Sequence, residues 1–380
     1  MKVLVVSHLF PSRAYPGSGP FVRDQVVELA HANTVTVVSP VPKHRDSRRV
    51  EVELESSEDG IRVIRPQLPH LPVGGRLIGP WMWVFALRPF LHRESRAMGG
   101  ADLIHGHCAY PDGFAATRFA NQARLPSVLT LWGSDVLVHG AMRLDRWFVS
   151  SALRRARAVI AVSEQLGDRA ISLGADESRV HVIPPGVPYR PIRPYDETRA
   201  VLRIEPAEVV IVWIGGLVSV KQPLEAISAF DAIALPQSRL VMIGDGPLRR
   251  ELQAAIRNSR SADRISIMGH LDREEVWRWQ CAADLILNSS RSEGTPLAVL
   301  EAMGAGTRVA AYPLPGIAAA VGAANGGVIA DSATPNALAD AAIRALTAND
   351  HRHSLATNAR DRFSIERSAA SIDDVYRSLS

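Results

Sequence analysis

Short runs of consecutive apolar residues recur along this chain, and each stops at a glycine or a polar residue. Val3 to Val6 and Val159 to Val162 have strand length and are apolar at every position rather than at alternate ones, and Val35 to Val38 also has strand length. Such runs suit strands covered on both faces, as in a parallel sheet. Between them lie segments apolar at helical spacing, for example Phe21, Val22, Val26, Leu29 and Ala30, which makes the opening a βαβ unit. The alternation is interrupted at Ile183-Pro-Pro-Gly-Val-Pro188, with Pro191 and Pro194 beyond, a linker signal. It restarts with Val209 to Ile214, Leu240 to Ile243, Ile265 to Met268 and Leu285 to Leu287, and an alanine-rich tail from Pro335 to Leu379 reads as helical. The expected fold class is α/β: two Rossmann-like doubly wound domains, residues 1–188 and 189–364, facing a cleft.

Composition limits the function. With 380 residues, 47% of them apolar, the chain can fill more than one core. Its net charge of +4 is mildly basic and scattered, which suits a phosphorylated ligand or an anionic membrane surface better than nucleic acid. The two cysteines, Cys108 and Cys281, imply neither a disulfide framework nor a thiolate metal site. Met1 to Ser7 reads as a strand and not as a signal peptide, and no apolar run reaches the ~20 residues of a spanning helix. The chain therefore reads as cytoplasmic. Arg76 to Met98 combines Trp81, Trp83, Phe85 and Phe90 with four arginines. It fits a helix packed on the sheet, and it also fits a peripheral contact with the inner face of a membrane through residues 76–98.

In open α/β sheets the ligand lies beyond the carboxyl ends of the strands. Those ends carry His107, Trp132-Gly-Ser-Asp135, Gly215-Gly216, Gly244-Asp-Gly-Pro247 and the stretch Asn288 to Gly306. In that last stretch Thr295 suits an N-cap and Pro296 the first helical position, so the helix start offers amides and a positive dipole end to an anion. Glu293 and Glu301 bracket it with seven residues between them, and carboxylates accept hydrogen bonds from sugar hydroxyls. Phosphate on the amides and hydroxyls on the carboxylates describe a nucleotide sugar. The same stretch also fits a capped surface helix with solvated glutamates. Lys221 also reads as a solvated loop lysine and Gly19 as a plain turn residue.

Taken together, the motifs resemble the retaining glycosyltransferases of the GT-B fold known as glycosyl transferases group 1. The likeness rests on Glu293 to Glu301 as the Glu-x7-Glu motif, Gly244 to Pro247, Gly215 with Leu217 and Lys221, and His105 with His107, Pro111 and Gly113. Phe10-Pro11 with Gly19 resembles the family's N-terminal loop. The resemblance implies transfer of a hexose from a UDP- or GDP-linked donor, UDP preferred, to a saccharide or lipid-linked acceptor in cell-surface polysaccharide synthesis. The anomeric configuration is retained, with no metal and no cofactor beyond the donor itself. A C-terminal helix, 365–380, is expected to pack back on the first domain.

By the same resemblance Glu301 binds the donor ribose, while Glu293 and His107 contact the transferred sugar. Lys221 and the amides around Gly294, Thr295, Pro296 and Leu297 hold the diphosphate, with Gly19, Gly215 and Gly244 close to the donor. Trp132 and Asp135 lie on the acceptor side. The chain departs from the family at Gly216, where an arginine is frequent, at Trp132, where a histidine is frequent, and at Ala319, where a glutamate is usual. Arg23 or Arg291 is a candidate replacement for the missing cation. These departures keep open a non-catalytic nucleotide-sugar binding subunit and, less compatible with the Glu-x7-Glu spacing, a sugar-nucleotide epimerase.

Overall fold

A computed structural model describes the chain except residues 16, 44–52, 70–77, 294–295, 349–351 and 380; residues 42, 43 and 69 are described by backbone alone. Two compact units emerge, Met1–Gly186 together with Ile365–Ser380, and Val187–Ser364.

The first unit is built on strands β1 (Lys2–Val6), β2 (Thr34–Val38), β3 (Val41–Lys43), β4 (Glu55–Glu58), β5 (Ile61–Ile64), β6 (Gln67–Pro69), β7 (Leu103–His107), β8 (Ser127–Leu131), β9 (Ala158–Ala161) and β10 (Val180–Val182). Among the described residues its main sheet has the order β10-β9-β8-β7-β1-β2-β5-β4, and β3 pairs with β6 apart from it. Every neighbour in the main sheet is parallel except β4, which forms an antiparallel hairpin with β5. Asp59 and Gly60 join that hairpin at φ 50° and 78°, the left-handed pair that a two-residue type I′ turn demands.

The continuous apolar run of β1 explains its central place. Leu4 and Val6 enter a core with Leu87, Leu91, Phe114 and Leu129 on one face. Val3 and Val5 enter another with Val22, Val26, Ile372 and Tyr376 on the opposite face. Alternate side chains point to opposite faces of a strand, so an all-apolar run feeds two cores along its whole length. Helix Gly79–Ala97 buries Val84, Leu87 and Leu91 while Phe85 on its other side is 66% exposed; Arg76 lies outside the described residues. The expected helical tail is three helices, Pro335–Thr347, Arg352–Phe363 and Ile365–Arg377. The last belongs to the first unit.

The second unit carries β11 (Val209–Ile214), β12 (Ser238–Ile243), β13 (Ile265–Gly269), β14 (Leu285–Asn288), β15 (Arg308–Ala311) and β16 (Gly327–Ile329). They form one parallel sheet in the order β13-β12-β11-β14-β15-β16. Val210 and Val212 of β11 face one core, Ile211 and Trp213 the other. Both units are thus doubly wound. In each the strand order reverses next to the first strand, between β1 and β7 and between β11 and β14, which is where such sheets open a crevice for ligands. Among the described residues no helix is long and apolar enough to cross a membrane.

Candidate functional site

At the switch point of the second unit the loops after β11, β12 and β14 are laced together. The Gly215 amide donates to Ile243 O at 3.0 Å and the Leu217 amide to Asp245 O at 3.0 Å. Gly244 sits at φ 138°, and a Cβ there would lie 1.9 Å from the Gly215 carbonyl oxygen. Only glycine fits an approach that close. Gly244→Ala is expected to destabilise the unit by more than about 2 kcal/mol. Urea unfolding reads this as a lowered midpoint, and an unchanged midpoint would contradict it.

Ser289, which sequence reasoning passed over, anchors the lysine loop. Its hydroxyl lies 2.9 Å from both Lys221 O and Gln222 O and accepts from the Trp213 indole N–H at 3.1 Å. With the loop so held, Lys221 Nζ reaches Glu293 Oε1 at 2.9 Å. Asn288 Nδ2 donates to the same oxygen at 3.2 Å, and Asn288 Oδ1 accepts from the Ser290 amide at 3.1 Å. Glu293 is 6% exposed, so its carboxylate is held by a lysine and an amide rather than left to solvent. Lys221 is therefore not the plain solvated lysine that it resembles in sequence.

The helix expected to begin at Pro296 begins one residue later, at Leu297, with Pro296 as N-cap at ψ 82°. Proline lacks a capping side chain, and Gly294 and Thr295 lie outside the described residues. Pro296 O accepts from the Val299 and Leu300 amides. The amides of Leu297 and Ala298 precede any intrahelical carbonyl they could reach, the usual condition of a first turn. One turn on, Glu301 Oε2 accepts from Gln280 Nε2 at 3.3 Å.

The candidates to replace the cation missing at Gly216 are engaged elsewhere. Arg291 donates to Glu225 at 2.7 Å, and Arg23 pairs with Asp59. Among the described residues no group of three His, Cys, Asp or Glu side chains is arranged to hold a metal ion.

The switch point of the first unit gathers histidines. His107 ends β7, buried, with its Nδ1 accepting from the Trp132 indole N–H at 3.3 Å. Its Nε2 is buried without a hydrogen-bond partner among the described residues. Its ring stacks on that of His105 at 4.4 Å between centroids. His105 is in turn bonded to Tyr376 and Thr130 at 2.5 and 2.7 Å. Burial drives both imidazoles toward the neutral form: His105 is lowered to about 3, and His107 goes well below its ordinary value, with His105 adding to the effect.

Asp135 accepts from the Ala109 and Gly133 amides at 2.9 Å each. It thus staples the loops after β7 and β8, although burial raises its pKa. Gly19 caps helix Pro20–Ala30 at φ 63°, where a Cβ would meet Leu9 O at 2.5 Å.

A pair that the sequence reading missed is His8 with Asp112. The His8 amide and ring Nδ1 both lie on Asp112 Oδ2, at 3.1 and 2.6 Å. Burial lowers the His8 pKa, but the Asp112 charge and hydrogen bond outweigh it, and the net shift is upward. A histidine two residues past the first apolar run was the available signal.

Against known proteins, residues 194–362 match the family model "Glycosyl transferases group 1", and residues 17–190 match "Glycosyltransferase Family 4". TuaC of Bacillus subtilis, a candidate glycosyltransferase of teichuronic acid biosynthesis, is 30% identical over 80% of this chain and 78% of its own. Sucrose-phosphate synthase from Thermosynechococcus elongatus superposes with a TM-score of 0.81 at 20% identity, covering 100% of this chain and 99% of that one. Anabaena HepE, solved with UDP-glucose, gives 0.74 at 18% identity with both chains covered completely.

Proposed function

Since this chain belongs to the group 1 glycosyltransferases of GT-B fold, we propose that it moves a hexose from a UDP-linked donor, with GDP the second choice, to a saccharide or lipid-linked acceptor with retention of anomeric configuration. The observation that carries this is the convergence of Lys221, Glu293 and the Leu297 helix start on one switch point. The leaving group is a diphosphate, so the breaking bond loads negative charge where a lysine and first-turn amides are already fixed. Glu293 and Glu301 supply acceptors for the hydroxyls of the sugar and the ribose. Likeness to a UDP-glucose-binding protein supports the base, and likeness to TuaC supports a role in cell-surface polysaccharide synthesis.

The charge on the diphosphate is met without a metal in this reading, and turnover is expected to persist in a chelator. A panel of UDP- and GDP-hexoses offered with a lipid-linked acceptor tests the proposal, with the anomeric configuration of the product read by NMR. Neither transfer nor donor hydrolysis with any member would overturn it.

A peripheral membrane contact has its own observation. Phe85 and Trp147, 66% and 51% exposed, end a chain of ring contacts that runs through Trp81 and Phe114. The Arg118 guanidinium lies over both inner rings at 4.3 and 4.6 Å. Aromatic rings beside guanidinium groups suit the interface of an anionic bilayer. The protein is expected to co-sediment with vesicles containing phosphatidylglycerol, and the Phe85→Ser/Trp147→Ser variant to remain in the supernatant. Equal pelleting of the two would refute the contact.

A further inference from the structure

Trp132 decides which nitrogen of His107 carries the proton. His107 ends β7, and its register partner Thr130 lies two residues before Trp132, so the indole stands beside the imidazole. The two rings lie 15° from parallel with centroids 6.1 Å apart, an arrangement that aims the indole N–H at the edge of the imidazole. An indole nitrogen donates and never accepts. The 3.3 Å contact from Trp132 Nε1 to His107 Nδ1 therefore requires a lone pair on Nδ1. A neutral imidazole has one N–H, which must then sit on Nε2.

The surroundings keep the ring neutral and the indole in place. His107 is fully buried against His105, so a charged ring would gain no solvation. Phe21, in the first turn of the helix that Gly19 caps, packs on Trp132 at 4.5 Å between centroids. What is left over is a buried Nε2–H with no partner among the described residues.

We propose that Trp132 is a positioning residue that locks His107 as a hydrogen-bond donor, and that this donor selects a nucleotide sugar carrying an oxygen at the position it faces. The proposal rests on the glycosyl-transfer reading and gives that reading a specificity element. A site with a fixed donor favours a hydroxyl oxygen and disfavours the deoxy sugar, which leaves the donor unpaired. The same lock denies His107 the role of proton acceptor at Nε2, because that nitrogen already bears its proton. A histidine or phenylalanine in place of Trp132 would not impose this, since one can either donate or accept and the other can do neither.

The test has two arms. In the first, histidine-selective 15N labelling and long-range 1H–15N correlation read the tautomer of His107 directly. The intact protein is expected to show one neutral Nε2–H form from about pH 5 to pH 8, and Trp132→Phe, which keeps an aromatic ring against Phe21, a mixture of both tautomers. A wild-type spectrum with the proton on Nδ1, or with the imidazolium, would overturn the lock, as would an unchanged tautomer in the variant. The wild-type measurement decides even if the variant fails to fold.

In the second arm, UDP-glucose and its monodeoxy analogues are titrated by calorimetry. One analogue is expected to bind about tenfold more weakly than UDP-glucose to the wild type, a difference that shrinks in Trp132→Phe. Equal discrimination in both proteins would overturn the selective role. Failure of UDP-glucose to bind at all, with the tautomer as expected, would sink the donor reading and leave the lock standing. Transfer activity with the wrong tautomer would do the reverse.

Discussion

Glu293→Ala is expected to lower turnover by at least ~10²-fold, which corresponds to about 2.7 kcal/mol of lost transition-state stabilisation. One hydrogen bond between a charged group and a sugar hydroxyl is worth about 1.5–3 kcal/mol, so loss of a single carboxylate accounts for an effect of that size. The protein is expected to stay folded. Glu293 lies in a loop, and its ion pair with Lys221, which is 29% exposed, has the modest worth of a partly solvated pair, about 1 kcal/mol or less.

Glu293→Gln separates two roles of the carboxylate. It keeps an oxygen that can accept from Asn288 and from a hydroxyl, but it gives up the charge that restrains Lys221. If Glu293 serves as a hydroxyl acceptor, Gln recovers part of the lost rate. If its main work is to hold the lysine, Gln behaves like Ala, and Lys221→Ala then matches both. Rates measured at saturating donor distinguish these outcomes, and an unchanged rate in Glu293→Ala would remove the residue from the site altogether.

The sequence disclosed the sheets because burial writes a continuous pattern. Val3 to Val6 and Val209 to Ile214 serve two cores each, and an all-apolar run is how a strand supplies both faces along its whole length. The glycine-rich strand ends were legible as turns, whereas the close approach that leaves no room for a Cβ at Gly244 appears only in the structure. The side-chain partnerships were not legible. Ser289 acts through carbonyls of a loop more than sixty residues earlier in the chain, and His8 through an aspartate 104 residues away. Local pattern carries no information on such long-range contacts. The helix start was misplaced by one residue because Pro296 fits the first turn by residue type, whereas its ψ of 82° leaves it outside the helix. Asp135 reads in sequence like a site acid at a strand end, yet its oxygens are taken by two backbone amides.

His107→Ala is the second large effect, again at least ~10²-fold in turnover. The residue ends a strand with its Nε2 buried and unpartnered among the described residues, a condition that costs about 1–3 kcal/mol unless a ligand relieves it. A group kept at that cost is more use to a ligand than to the fold, so stability and activity should move apart in the variant.

The acid side of the stability profile shows this. His105 and His107 hold pKa values below the ordinary 6.5 in the native state, so between 6.5 and their native values the unfolded chain binds more protons. Stability contributed this way is present above 6.5 and lost as pH falls through that window. His8, raised by Asp112, acts in the opposite sense: its contribution is present below 6.5 and lost as pH rises through its native value. Removing His107 deletes one of the two acid-sensitive groups, so His107→Ala is expected to lose less stability than wild type between about pH 6.5 and pH 4 while its turnover has already collapsed at neutral pH. His107→Gln carries an amide N–H near the place of Nε2 and is expected to regain at least about tenfold of the lost rate. Should Gln and Ala be equally inactive while both unfold at the wild-type urea midpoint, a hydrogen bond from this position would not explain the loss, and the aromatic stack on His105 would be the part that matters.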